Sequence, residues 1–109
     1  MATLSPQVIV EAGITPTLVA ATAGGDEWVN SGREFIHVKN SGAETTVIIN
    51  SQTACNQGVD HDVTVTIPLT TGWKMIGPFP KDRFNDAAGK VQMTYGDETN
   101  LTIGIIRLP

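Results

Sequence analysis

The sequence has few of the residues on which disulfide scaffolds, metal sites and membrane spans depend. Its 109 residues include one cysteine, Cys55, and two histidines, His37 and His61. A single cysteine excludes an intrachain disulfide. Aromatic residues make up 6% of the chain, and no apolar run approaches the roughly 18 residues of a membrane-spanning helix. We therefore expect neither a disulfide framework nor a membrane partner.

Basic residues are also few. Seven Lys and Arg stand against eleven Asp and Glu, which gives a net charge of −4. Binding to nucleic acid needs a surplus of basic side chains to neutralise phosphates, so this balance predicts no nucleic-acid partner. The first residues show no basic stretch followed by an apolar run. We therefore expect no secretory signal and predict assembly in a reducing cytoplasm.

The abundant residues are those that favour strands. The chain contains 10 Val, 10 Ile and 14 Thr, against 5 Leu and 9 Ala. Side chains branched at Cβ pack well on pleated sheets and lose rotamer freedom in helices. Eleven Gly and six Pro divide the chain into short segments.

Alternating polarity and turn residues locate these segments. Strands are predicted over residues 17–21, 34–39, 44–50, 62–67, 73–79, 90–95 and 101–108. Short turns suggest two hairpins, one joining 34–39 to 44–50 and one joining 90–95 to 101–108. The best helical candidate is 81–88, of two turns at most.

The sequence therefore predicts an all-β fold, an antiparallel β-sandwich or jelly roll of about eight short strands. Residues 16–109 would form this single domain. Residues 1–15 would be an N-terminal arm or edge strand, which contains Val8, Ile9 and Val10. The polar stretch 51–61 is long for a hairpin loop, and loops of that length tend to be functional or mobile.

Candidate metal ligands do not match known spacings. Five residues lie between Cys55 and His61, a spacing that fits no zinc or copper signature, and His37, Met75 and Met93 lie within predicted strands. A weak surface calcium site is an alternative, with oxygen ligands from Asn56, Asp60 and Asp62, but this loop lacks the ligand order and closing Glu of a calcium loop. We expect no metal and no cofactor.

Catalytic motifs are missing as well. Gly24-Gly25 is followed by Asp26 and Glu27, which would repel a phosphate, and no G-x-S-x-G elbow occurs. The neighbouring acids Asp97 and Glu98 lie in a predicted turn, where such residues are common. These observations predict a protein that is not an enzyme.

Three segments resemble a known family. They are residues 24–40, the Gly77-Pro78-Phe79-Pro80 stretch, and residues 91–95 together with 101–108. In this order they resemble small jelly-roll head-decoration, or cement, proteins of tailed bacteriophages. The likeness covers the chain from about Thr15 onwards.

The resemblance implies a structural role on a virion. A protein of this family would be made in the host bacterial cytoplasm and would bind the outer surface of an icosahedral head as a dimer or trimer. Its partners would be the major capsid protein and copies of itself, and it would clamp neighbouring capsid subunits.

Six residues are candidates for capsid or subunit contacts. An extended arm can add a strand to a neighbour, Trp and Arg are enriched at interface hot spots, and flanking prolines hold a side chain in a preset conformation. The candidates on these grounds are Val8, Ile9, Val10, Trp28, Arg33 and Phe79. The alternative for Trp28 and Phe79 is local packing in the sandwich.

Two other functions remain open at this stage. One is a free-standing β-sandwich binding module, for example for glycans, which would need an exposed aromatic platform. The other is a head-completion or tail component.

Overall fold

The computed structural model describes residues 1–52, 61–69 and 72–109, which form ten strands and one short helix. The prediction of an all-β fold is confirmed. The elements are β1 (Ala2–Leu4), β2 (Gln7–Val8), β3 (Val19–Ala20), β4 (Asp26–Val29), β5 (Glu34–Asn40), β6 (Thr45–Ile49), β7 (Val63–Ile67), β8 (Trp73–Ile76), α1 (Lys81–Phe84), β9 (Lys90–Tyr95) and β10 (Leu101–Arg107).

The strands form two sheets that enclose one core. The first sheet has the order β1-β4-β9-β6-β7. The second has the order β2-β10-β5-β8, and β3 pairs with the same strand, β10. Buried apolar side chains come from both sheets and from the segment around α1. They are Trp28, Ile36, Val38, Val47, Ile49, Ile67, Ile76, Phe79, Phe84, Val91, Met93, Leu101, Ile103 and Ile105.

The expectation of purely antiparallel sheets is wrong at the N-terminal arm. β1 pairs in parallel with β4, and β2 pairs in parallel with β10. A tight turn forces neighbouring strands to be antiparallel, but β2 and β10 are far apart in sequence and are free of that constraint. Residues 2–8 thus join the edge of one sheet to the edge of the other.

Both predicted hairpins are also wrong. β5 lies in the second sheet and β6 in the first, while β9 lies in the first and β10 in the second. The short connections after β5 and β9 therefore cross from sheet to sheet. Alternating polarity indicates which residues of a strand share a face. The same pattern is expected whether a strand pairs with the next strand in the chain or faces it across the core.

The connection after β5 is held by one amide side chain. Asn40 Nδ2 donates to the Ala43 carbonyl at 2.8 Å, and Asn40 Oδ1 accepts from the Gly42 N–H at 3.0 Å. The backbone N–H of Asn40 donates to the Gly72 carbonyl at 2.7 Å. The last bond keeps Asn40 in the second sheet, and the two side-chain bonds shape the turn that leads to β6.

Two other elements differ from expectation. The helix spans only Lys81–Phe84, because Asn85 is extended and the Asp86 carboxylate accepts the N–H groups of Ala88 and Lys90 in a turn. Strand β4 was not predicted, since Asp and Glu are uncommon in strands. By contrast, β7 alternates as predicted, with Ile67 buried and Thr64 and Thr66 exposed.

The arm folds back over the outer side of the second sheet. The Gln7 side-chain amide donates to the Thr17 carbonyl at 2.9 Å and accepts from the Thr17 N–H at 2.8 Å. The Ile9 N–H donates to the Arg107 carbonyl at 2.9 Å. This segment crosses β10 close to Gly104, where an added Cβ would lie 2.8 Å from the Thr17 carbonyl oxygen.

Candidate functional site

The most exposed large apolar side chains of the second sheet lie on strand β8. Its residues Trp73 and Met75 pair with Lys39 and His37 of β5. Side chains on a strand alternate between faces, so Ile76 turns to the core while Trp73 and Met75 face outwards. Trp73 is 63% exposed and Met75 is 69% exposed. We call the outward surface formed by Phe35, His37, Lys39, Trp73 and Met75 the β5–β8 face.

Contacts from β5 support the exposed tryptophan. The His37 ring meets the Trp73 ring edge-on, with ring centroids 5.9 Å apart. The Lys39 ammonium lies 4.8 Å from the Trp73 ring centroid, within the range of a cation–π interaction. Trp73 is therefore held in a defined orientation while most of its surface remains open to solvent.

A groove runs between this face and the arm. It has a volume of about 280 Å³ and is lined by Ile9, Gly13, Ile14, Pro16, Phe35, His37, Met75 and Ile106. The arm turns there, where Gly13 has a φ of 87° and its N–H donates to the Val10 carbonyl. Nearly all of the lining is apolar. One lining side chain, His37, has a buried Nδ1 that finds no hydrogen-bond partner among the described residues.

Two of the six predicted contact residues lie in the core. Trp28 is 0% exposed and Phe79 is 3% exposed, and their rings pack with centroids 5.8 Å apart. The Asn30 side chain donates to the Phe79 carbonyl at 3.0 Å and fixes the proline-flanked stretch from inside. Their burial agrees with the alternative of local packing. Neither side chain has enough exposed surface to contact a partner.

The other four predicted residues lie at or near the surface. Val8 and Val10 are about half exposed, and Arg33 is exposed in the turn before β5, where its carbonyl accepts from the Leu108 N–H. Ile9 is partly buried and is the one member of the set that lines the groove. The structure thus brings Ile9 to the β5–β8 face.

Neither Trp73 nor Met75 is among the six contact residues predicted from the sequence. Alternation places them on one face of a strand, yet it does not tell which face is buried. Because Trp73 and Met75 are large and apolar, the sequence alone would suggest that both are buried in the core. Their pairing with the polar residues Lys39 and His37 would indicate that this face is exposed to solvent. The pairing of β5 with β8 cannot, however, be inferred from the sequence.

The candidate metal ligands are not assembled where the structure can be described. The His61 carbonyl accepts a hydrogen bond from the Arg83 side chain, and Asp62 Oδ1 accepts one from the Ser51 N–H. Cys55, Asn56 and Asp60 lie outside the described residues. Within residues 1–52, 61–69 and 72–109, no three His, Cys, Asp or Glu side chains could hold a metal ion together.

Two buried carboxylates have structural partners. Glu34 pairs with Arg107 and accepts from the Ser31 N–H and hydroxyl. Burial raises its pKa, but the hydrogen bonds from Ser31 and Arg107 outweigh burial, and the pKa of Glu34 lies below its usual value.

The second buried carboxylate, Asp26, accepts from the Tyr95 hydroxyl at 2.6 Å and from the Thr22 hydroxyl at 2.9 Å. Burial, followed by this bond to Asp26, raises the pKa of Tyr95 far above its usual value. The phenol is thereby kept protonated, and the pair fastens β4 to β9.

The chain matches no protein-family model, no curated protein and no solved structure at a significant level. In the parts of the chain that the structure describes, no helix is long and apolar enough to cross a membrane.

Proposed function

We propose that this protein is a non-enzymatic capsid decoration, or cement, protein of a tailed bacteriophage. In this proposal its two-sheet fold is a jelly roll, and it binds the outer surface of the icosahedral head as a dimer or trimer. It would stabilise contacts between major capsid subunits after synthesis in the host cytoplasm. The resemblance of residues 24–40, 77–80, 91–95 and 101–108 to such proteins supports this proposal.

The observation that carries the proposal is the pair of outward-facing side chains Trp73 and Met75. Exposed Trp and Met side chains grouped on one face mark contact sites more often than chance exposure does. They stand on a strand whose neighbour, β5, is packed on both edges. A clamp needs such a rigid platform, since little entropy is then lost on binding.

Binding to shells tests the proposal directly. Purified protein is mixed with mature capsid shells stripped of decoration protein, with unexpanded shells as the control, and bound protein is measured by co-sedimentation. We expect saturable binding to mature shells only. The plateau stoichiometry gives the number of copies per capsid subunit.

Two variants locate the contact. Trp73→Ala is expected to weaken shell binding by about tenfold or more, which corresponds to at least ~1.4 kcal/mol. Val29→Ala is the matched control, because Val29 is an exposed apolar residue of the first sheet. Failure of the unaltered protein to bind either shell would refute the decoration role.

A glycan-binding module is the second candidate, and the same tryptophan favours it. Trp73 is an exposed aromatic ring flanked by polar side chains of His37 and Lys39. Sugar binding would change Trp73 fluorescence on titration with oligosaccharides, and Trp73→Phe would remove that change. Saturable sugar binding without shell binding would favour this candidate.

A further inference from the structure

Strands β5 and β8 expose basic but no acidic side chains, although the protein as a whole is acidic. The chain carries a net charge of −4. On strands β5 and β8, however, the charged residues are Glu34, Lys39 and Lys74, and Glu34 is buried against Arg107. In the described parts of the chain, neither lysine forms an ion pair with a carboxylate. The outward face therefore carries one positive charge, Lys39, and the edge strand beside it carries a second, Lys74, neither of which has a neutralising partner among the described residues.

Lys74 also indicates how a partner can approach. It pairs with Val38, whose side chain is fully buried, so Lys74 belongs to the core-facing side of β8 although it is itself exposed. A charged residue on that side of an edge strand opposes the addition of another strand, because it would be desolvated by the new neighbour. The outward face is thus better suited to docking than the strand edge.

A second copy of this chain is a poor occupant. In a two-fold interface the same surface meets itself, so Lys39 and Lys74 of one copy would approach the lysines of the other. Like charges brought together during desolvation oppose association. An apolar partner bordered by carboxylates would instead find both its apolar and its charged groups matched.

The groove limits the size of what can enter. Its volume of about 280 Å³ lies just below the range of pockets that enclose small-molecule ligands. It has room for a few anchoring side chains, and the exposed Trp73 and Met75 extend the contact surface beyond it. Such a site suits a short stretch of polypeptide that inserts apolar side chains.

We infer that the β5–β8 face binds an apolar protein segment flanked by Asp or Glu residues. This inference rests on the proposed function, under which the segment belongs to the outer surface of the capsid shell. Ile9, Phe35 and Met75 would contact its apolar side chains, Lys39 would pair with a carboxylate on the face, and Lys74 would attract one at the exposed edge of β8.

The two tryptophans allow a direct test by NMR. The probe is a synthetic eight-residue peptide of alternating leucine and glutamate, and the control peptide alternates leucine and lysine. We expect the glutamate peptide to shift the indole N–H signal of Trp73 and to leave that of the buried Trp28 in place. The lysine peptide should shift neither signal. Equal shifts with both peptides, or none with either, would overturn the inference.

Charge reversal tests the role of the lysines on the shell itself. Lys39→Glu and Lys74→Glu are each compared with Lys81→Glu, which makes the same change on the exposed side of α1. We expect the first two to weaken shell binding by about tenfold and to reduce its salt dependence, while Lys81→Glu binds normally. Circular dichroism verifies that all three remain folded.

The outcomes separate the two proposals. If the unaltered protein binds shells and all three variants bind equally well, the decoration role stands and the inference about this face is wrong. If no shell is bound but the glutamate peptide shifts Trp73, the face holds acidic apolar segments and the decoration role fails. Dimerisation through Trp73, detected by sedimentation and abolished by Trp73→Ala, would also overturn the inference.

Discussion

Asp26 and Glu34 are carboxylates without exposed surface, and each one fixes a different part of the chain. Asp26 binds Tyr95 and Thr22 and thereby anchors β4. Glu34 accepts a hydrogen bond from the Ser31 N–H and pairs with the Arg107 side chain at one end of β5. Buried carboxylates are costly unless their hydrogen bonds are satisfied, so both clusters are sensitive to single substitutions.

The low pKa of Glu34 makes stability depend on pH in the acid range. A carboxyl whose pKa is lower in the folded than in the unfolded protein stabilises the fold above its unfolded pKa, here about 4.5. That contribution is lost as the pH falls further, through the folded pKa. We expect Glu34→Gln to lower the free energy of unfolding by about 2 kcal/mol at pH 7 and to flatten its decline below about pH 4.5.

Urea unfolding between about pH 7 and pH 3 measures this effect. Glu44→Gln is the control, because Glu44 is exposed. Part of the acid dependence should remain in Glu34→Gln, since hydrogen bonds also lower the pKa of Asp86 and Asp97. An unchanged acid slope in Glu34→Gln would contradict the assigned role.

The two tryptophans illustrate what composition conveys about single residues. Both are large and apolar, and the sequence makes Trp28, but not Trp73, a candidate contact residue, with local packing as the alternative. The structure places Trp28 in the core and leaves Trp73 exposed. The difference arises from strand pairing: Trp28 faces the opposite sheet, whereas Trp73 is on the outer side of a strand at the edge of its sheet. Information of this kind is not local in sequence.

At the scale of elements, the arm and β10 depend on a single close approach. An added Cβ at Gly104 would lie 2.8 Å from the Thr17 carbonyl oxygen and 3.0 Å from Leu18 Cδ2. The first distance is shorter than a Cβ atom tolerates and involves a backbone atom, whereas the Leu18 side chain would have to shift only slightly. The arm can lie this close to β10 only because residue 104 is a glycine and has no side chain.

We expect Gly104→Ala to displace the arm and to cost about 1–3 kcal/mol of stability. The amides of Ile9 and Thr17 should then exchange faster with solvent, because the displaced arm loses its bonds to Arg107 and Gln7. Gly24→Ala is the matched control, since an added Cβ there meets nothing within 4 Å. Exchange is read by hydrogen–deuterium exchange NMR, and unchanged protection in Gly104→Ala would refute the expected displacement.

The sequence located most strands but did not reveal how they pair. The predicted ranges 34–39, 44–50, 62–67 and 90–95 lie within one or two residues of β5, β6, β7 and β9. Period-two alternation and turn residues are local signals, and they were sufficient for this. Pairing depends on which connections cross the core, and here two connections of hairpin length do so. The same limit hid the β5–β8 face, which exists only through the pairing of two strands separated by more than thirty residues.

At the scale of the whole molecule, the crossing connections tie the two sheets together. Consecutive strands β5 and β6 lie on opposite sides of the core, as do β9 and β10. Neither sheet can be completed while the other is absent, because each contains strands from both halves of the chain. Local unfolding of one sheet should therefore carry the other with it.

We expect a single cooperative unfolding transition. In a Trp73→Phe variant the remaining fluorescence reports Trp28 in the core, and its urea transition should coincide with that of far-UV circular dichroism. Refolding should take milliseconds to seconds, because most contacts join residues distant in sequence. Two separated transitions would show that the sheets unfold independently.

The parallel pairing of β2 with β10 has a consequence for synthesis on the ribosome. Gln7 pairs with Ile106, so one strand leaves the ribosome about a hundred residues before its neighbour exists. Until then the arm has no edge in the second sheet to join, and the groove lacks Ile106. The groove side of the proposed binding surface is therefore completed only after β10 has left the ribosome, although β5 and β8 are made earlier.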